Sequence, residues 1–251
     1  MTRRFRVVAG VVLLSALVLP LVAAGQNFGR FFLPPTAAVE YDSYFAFTRI
    51  RYGTRVGGNG GWEHDYPAAD RNFSAILDYI TNMRVHLNDS NILDLDDPRI
   101  FQNPVIYMSE PGGWTTDDGE AKNLRAYLLK GGLIIFDDFD GDFEWRNLVT
   151  QMKVVMPDHD FIRLDVSHPV FQSFYGLQTL NVPHPMLRGI EPVFYGLFDD
   201  NRESGRMMAI ANFNNDIGDY WEWSAEGLYG NAPTADAYRL GVDYLVYAMT
   251  H

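Results

Sequence analysis

Compact apolar runs alternate along the chain with stretches whose apolar residues recur every three or four positions. Phe45 to Tyr52 alternates apolar and polar residues, which predicts a strand. Phe73, Ile76, Leu77 and Ile80 share one face of a helix that Asp70 is placed to cap. Arg84 to Leu87 predicts a short strand, Asp94 to Gln102 a turn or a single helical turn, and Pro104 to Met108 a strand. Asp117 and Glu120 have capping-box spacing ahead of Leu124, Tyr127 and Leu128, and Gly131 marks that helix's end. Leu133 to Phe136 predicts a buried strand and Phe143 to Met152 a helix. Phe161 to Val166, Gly189 to Phe198 and Met207 to Phe213 are further strand candidates, and Ala237 to Ala248 has the spacing of a closing helix. The strands are mostly continuous apolar runs, as in parallel sheets buried on both faces. The pattern therefore predicts an α/β fold, a three-layer sandwich with a mostly parallel sheet.

The first residues follow a different pattern. Arg3, Arg4 and Arg6 precede the apolar run Val7 to Leu21, and Val22-Ala23-Ala24 supplies small residues. Residues 1–24 read as a secretory signal peptide, since the run is short for a spanning helix. The expected setting is the periplasm or cell exterior, with a membrane anchor only if the segment is retained. Residues 25–44, with Pro34-Pro35, read as an extended lead-in, and residues 45–251 as one domain.

Composition removes several chemistries. Cysteine is absent, so thiol nucleophiles, thiolate metal sites and disulfides are excluded. A net charge of -12 opposes a nucleic-acid partner, because phosphate binding needs basic patches. Neither a phosphate loop nor a dinucleotide fingerprint is present, and no cofactor is expected.

The candidate chemistry centres on Leu133-Ile134-Ile135-Phe136-Asp137-Asp138-Phe139-Asp140-Gly141-Asp142. Ligands of open α/β sheets bind at the carboxyl ends of strands, where these acids fall. Asp138, Asp140 and Asp142 imitate the start of a calcium loop, but Gly141 precedes the third acid and no closing Glu follows at the required position. The other reading is one buried carboxylate capping the next helix, with the remaining acids solvated. Gly53 to Gly61 holds five glycines, and Trp62-Glu63-His64-Asp65-Tyr66-Pro67 follows, as a lid or as a variable surface loop. His64, near Asp65 and Asp70, is a candidate metal ligand or an ordinary loop histidine. His168, just after a predicted strand, is a candidate acid or base or a pocket-lining residue. Tyr220-Trp221-Glu222-Trp223 suits ligand stacking or covers the sheet end.

Several segments together carry a family resemblance. They are Arg51-Tyr52-Gly53, Asp65-Tyr66-Pro67-Ala68-Ala69-Asp70-Arg71-Asn72-Phe73, Gly131 to Asp138, His168-Pro169-Val170-Phe171 and Tyr244 to His251. From about Phe45 onward the chain resembles the bacterial domain of unknown function 4159 family, whose members are often exported or membrane-associated and have no established activity. The resemblance implies a flavodoxin-like sandwich similar to class I glutamine amidotransferases and trehalose-utilisation-type proteins. It sets Asp137 or Asp138 near the place of the amidotransferase nucleophile, where a carboxylate cannot perform thiolate chemistry. The first expectation is a non-catalytic domain that binds a polar ligand, carbohydrate or peptide, in a pocket lined by Trp62, Asp65, Tyr66, Asp70, Asp137, Asp138 and His168. A second is a hydrolase that uses Asp137 or Asp138 with His168, possible only if these groups share one cleft with or without a metal. A third is a structural partner of an envelope protein, presenting an apolar patch around Trp221 and Trp223.

Overall fold

The structure, a computed structural model, describes residues 37–54 and 61–251. The expected signal segment, the first part of the lead-in and most of the glycine-rich loop lie outside these residues. Seven strands form the main sheet: β1 (Thr48–Arg51), β3 (Asn91–Asp94), β4 (Val105–Ser109), β6 (Leu133–Phe139), β7 (Ile162–Arg163), β8 (Val193–Phe198) and β9 (Met207–Phe213). Their order is β3-β1-β4-β6-β9-β8-β7. The run from β3 to β9 is parallel, and β8 is antiparallel to both neighbours. A separate two-stranded antiparallel pair is formed by β2 (Gly53–Thr54) and β5 (Trp114–Thr115).

The helices fall into two sets. α1 (Ala68–Ile80), α4 (Ile217–Glu222) and α5 (Asn231–Thr250) contact one another, and α2 (Asp118–Leu129) contacts α3 (Gly141–Val155). Strand side chains alternate between the two layers. Phe47, Tyr107, Leu133, Ile135 and Ile210 join Phe73, Leu77, Trp221 and Tyr244 in the core on the first side. On the other side Trp114 stacks on Phe136 at 6.0 Å, while Leu124, Leu128, Leu148 and Met152 are fully covered or nearly so. The result is the expected three-layer α/β arrangement around a mixed, mostly parallel sheet. Among the described residues, no helix is long and apolar enough to cross a membrane.

Counted in chain order, the five parallel strands run 2-1-3-4-5, so the direction of winding reverses between β1 and β4. The chains leaving these two strands diverge there and open a crevice at their carboxyl ends. Tyr52 bridges its edge by donating from its hydroxyl to the carbonyls of Ser109 and Glu110, both at 2.7 Å.

Local differences from the sequence reading have physical causes. β3 occupies Asn91–Asp94, a stretch the apolar pattern passed over because it holds only two apolar residues. Arg84 to Leu87 contributes a single bridge, Val85 to Phe45. Asp70 lies inside the first turn of α1 and binds Arg49 instead of capping the helix. β6 continues through the acids to Phe139, with an irregularity after Phe136. α4 forms within what read as an irregular aromatic stretch. The Asp117–Glu120 capping box forms as expected.

Candidate functional site

Asp137 and Asp138 are neighbours with opposite fates, because successive strand residues face opposite sides. Asp137 is completely buried. Its carboxylate accepts from Asn212 Nδ2 at 2.8 Å, Tyr107 Oη at 2.8 Å and the backbone N–H groups of Ile217 at 3.2 Å and Gly218 at 2.9 Å. It therefore caps a helix, but the helix is α4, eighty positions on, rather than the one that follows. Burial raises its pKa to about 6, against the pull of the Asn212 and Tyr107 hydrogen bonds.

Asp138 turns out of the sheet in left-handed backbone, φ 60°. Its Oδ2 lies 2.7 Å from His64 Nδ1 and 3.4 Å from Ser109 Oγ. The other two acids of the calcium-like run do not converge with it. Asp140 stands at the start of α3, where its N–H donates to Glu144. The Asp142 side chain is 90% exposed and lies 3.8 Å from Arg146.

The segment leading into α1 supplies more of the crevice. Arg49, wholly buried on β1, pairs with Asp70 at 2.6 Å and donates to the carbonyls of Trp62 at 3.0 Å and His64 at 2.8 Å. One guanidinium thus fixes α1 and the 62–64 backbone together. It holds Asp65 in place at φ 63°, only 4% exposed. Among the described residues neither carboxylate oxygen of Asp65 has a hydrogen-bond partner, though His64 Nδ1 lies 3.3 Å from Oδ1. Gly218 lies against this carboxylate: a β-carbon there would overlap Asp65 Oδ2 and Tyr107 Oη. After β4, Glu110 adopts φ 48°. Six non-glycine residues among those described have positive φ, and three of them, Asp65, Glu110 and Asp138, face this one crevice. Such backbone strain concentrates where side chains must be aimed.

α4 and its approach add Asp216, Asp219 and Glu222. Ligand atoms of His64, Asp138 and Asp216 lie within 4.8 Å of one another, as do those of Asp65, Asp219 and Glu222. Asp216 accepts from the N–H of Asp219, and Asp219 from Tyr229 Oη at 2.9 Å. Asn72 donates to the carbonyls of Trp221 and Glu222 and so pins the end of α4 to α1. The outer wall is a cleft of about 610 Å³ lined by Gly61, Glu63, His64, Asp65, Tyr66, Glu222 and Trp223.

The charge in this region is poorly balanced. Burial, with the Asp138 charge added, pushes Asp65 up to about 8 and Glu110 up to about 7. Burial and the surrounding carboxylates raise Asp216 well above the carboxylate range. Among the described residues, the basic groups that meet these acids are His64 and Arg49. His64 is held up at about 10, mainly by its hydrogen bond to Asp138. Arg49 is already matched by Asp70. Among the described residues the site is rich in acids, an arrangement that can bind a positive charge.

Three expected site residues take other roles. Trp62 is 3% exposed and packs inward, so it offers no stacking face; Tyr66 and Trp223, each more than a third exposed, flank the cleft instead. Asp70 is sealed in its ion pair. His168 belongs to the opposite end of the sheet, where it packs on Phe198 and Tyr247 and accepts from the N–H of Val170. The structure does not bring His168 to Asp137 or Asp138, and burial lowers its pKa. Trp221 is buried against Phe73 and Tyr107, which removes the centre of the apolar patch expected there. Sequence reasoning missed Arg49, Glu110, Asp216, Asp219 and Glu222. Only the aromatic run around Glu222 drew notice.

Fold and site together define a three-layer α/β domain with an acidic crevice at the reversal point of its sheet. The chain belongs to the family described as a domain of unknown function, DUF4159, whose model matches residues 46–249. No curated protein matches the chain. Within the Asp65 to Phe73 segment, Asp65 faces the crevice, Tyr66 flanks the cleft, Asp70 fixes Arg49, Asn72 holds α4 and Phe73 joins the core.

Proposed function

We propose that this is a non-catalytic ligand-binding domain, and that its cleft takes a polar ligand whose complex neutralises the buried carboxylates. The observation that supports this most directly is Asp65: a carboxylate with 4% exposure and, among the described residues, no hydrogen-bond partner, set among further acids with only His64 Nδ1 near it, 3.3 Å from Oδ1. Leaving a buried polar group unmatched costs about 1–3 kcal/mol, and more for a charged one, so the site gains by receiving a positive charge or donors. Tyr66 and Trp223, which line the same cleft as Asp65 and Glu222, supply flat faces for the body of a peptide or sugar. The N-terminal leader pattern would place such a domain in the cell envelope, where wall peptides and sugars are at hand.

The test is a thermal-shift screen of the domain against lysine-bearing peptides, amino sugars, neutral sugars and metal ions. The expected result is stabilisation by a positively charged ligand that Glu222→Gln and Asp65→Asn both weaken. Stabilisation that survives both substitutions, or none with any class, would refute the reading.

A further inference from the structure

Building on the reading of this crevice as a binding site, we propose that Asp65, Asp219 and Glu222 form a binding site for a hard divalent cation such as Mn²⁺, Mg²⁺ or Ca²⁺. Two trios of possible ligands adjoin here, and their states differ. In the His64, Asp138 and Asp216 trio, a hydrogen bond of 2.7 Å already joins the imidazole to a carboxylate. In the second trio three carboxylates meet with no basic group among them. Asp65 is nine-tenths buried there, and among the described residues neither oxygen accepts a hydrogen bond: Oδ1 has His64 Nδ1 at 3.3 Å, and Oδ2 has no basic group against it.

Geometry and chemistry agree on the ion class. Asp219 and Glu222 stand three residues apart on α4 and so share one face of it. Asp65 meets them from the turn that leads into α1. The α4 end is fixed by Asn72, and the closeness of α4 to Asp65 depends on Gly218 having no side chain. Three oxygen donors without nitrogen or sulfur suit hard cations. Three protein ligands leave positions for water or ligand, and Glu222 lines the open cleft from which these would come. The ion is then the positive charge that joins the buried acids to a polar ligand held between Tyr66 and Trp223.

The experiment follows Mn²⁺ binding to the full-length protein by loss of the free-ion EPR signal, with thermal melts in parallel. The expected result is one tight site per chain, displaced by Ca²⁺ or Mg²⁺, together with a raised melting temperature. Affinity should fall at least tenfold in Asp65→Asn, Asp219→Asn and Glu222→Gln, and should be unchanged in the solvent-facing control Asp142→Asn. Glu222 is only partly buried, so Glu222→Gln keeps the test valid if a buried variant folds poorly. Absence of binding overturns the proposal, as does loss in Asp142→Asn to the same extent. Loss in Asp138→Asn with retention in Glu222→Gln also overturns it, by moving the ion to the His64 trio. If the metal fails while an amine ligand stabilises the protein through Asp65, the binding cleft stands and only the ion falls. If both fail, the cleft reading falls with it.

Discussion

Asp65→Asn, measured without metal, should make the protein more stable. At pH 7 an aspartate in the unfolded chain is ionised, whereas the folded site raises Asp65 to about 8 from an ordinary 3.8. Each pKa unit corresponds to about 1.4 kcal/mol, so holding this group in the fold at pH 7 costs about 4 kcal/mol. The cost shrinks to about 2 kcal/mol at pH 5, where the unfolded carboxyl is nearer its own titration. Asparagine avoids this cost but brings unmet amide donors, and it loses the 3.3 Å approach of His64 Nδ1. A net gain of about 2 kcal/mol at pH 7 is therefore expected, or roughly 4–8 °C in melting temperature for a domain of this size. The assay is urea and thermal unfolding of both proteins in chelator, at pH 5, 6, 7 and 8. The gap between them should narrow toward acid. Asp65→Asn being less stable at pH 7, or a gap independent of pH, would refute the assignment of Asp65 as a buried acid whose pKa the fold raises.

Other substitutions probe the remaining parts. The metal-free wild type should lose stability as pH rises from about 5 to 10: raised pKa values at Asp65 (about 8), Glu110 (about 7) and His64 (about 10) all contribute stability in the protonated state, and it is lost as pH passes through each value. Unfolding in a pH series with chelator reads this directly. Arg49→Met should destabilise by about 3–5 kcal/mol in urea melts, because it strands Asp70 in the interior. Gly218→Ala should abolish cation-dependent stabilisation, since the new methyl meets Asp65 and Tyr107. Asp142→Asn should leave unfolding unchanged within about 0.5 kcal/mol.

The layers were legible in the sequence because parallel strands and amphipathic helices carry strong periodicities. The helix from Asp118 to Leu129 announced its start through Asp117 and Glu120, a purely local device. β3 and α4 were not legible, since Asn91–Asp94 and Ile217–Glu222 are too short to show a period, and tertiary contacts hold them: Asn91 to Thr48, Ile217 to Asp137. The same cause divided the site. Asp138 drew notice as an acid at a strand end and Asp65 as part of the loop that carries His64, and both lie where they were read. Asp216, Asp219 and Glu222 come from a segment whose aromatics masked its acids, and only the fold brings them to Asp65. Arg49 lay hidden in an alternating strand, where its polar character marked it as exposed, and Asp70 was the partner that drew it inside.

Asp137 joins β4, β6, β9 and the start of α4 through one carboxylate. It therefore sets where Asp219 and Glu222 stand without itself meeting whatever they hold. An alanine scan scored by binding would rank Asp137 among the most sensitive positions, and a plain reading would enrol it as a ligand. Separating the two roles needs a second axis of measurement. At Asp137, loss of binding and loss of folding stability should rise together; at Glu222, binding should disappear while the unfolding midpoint stays put.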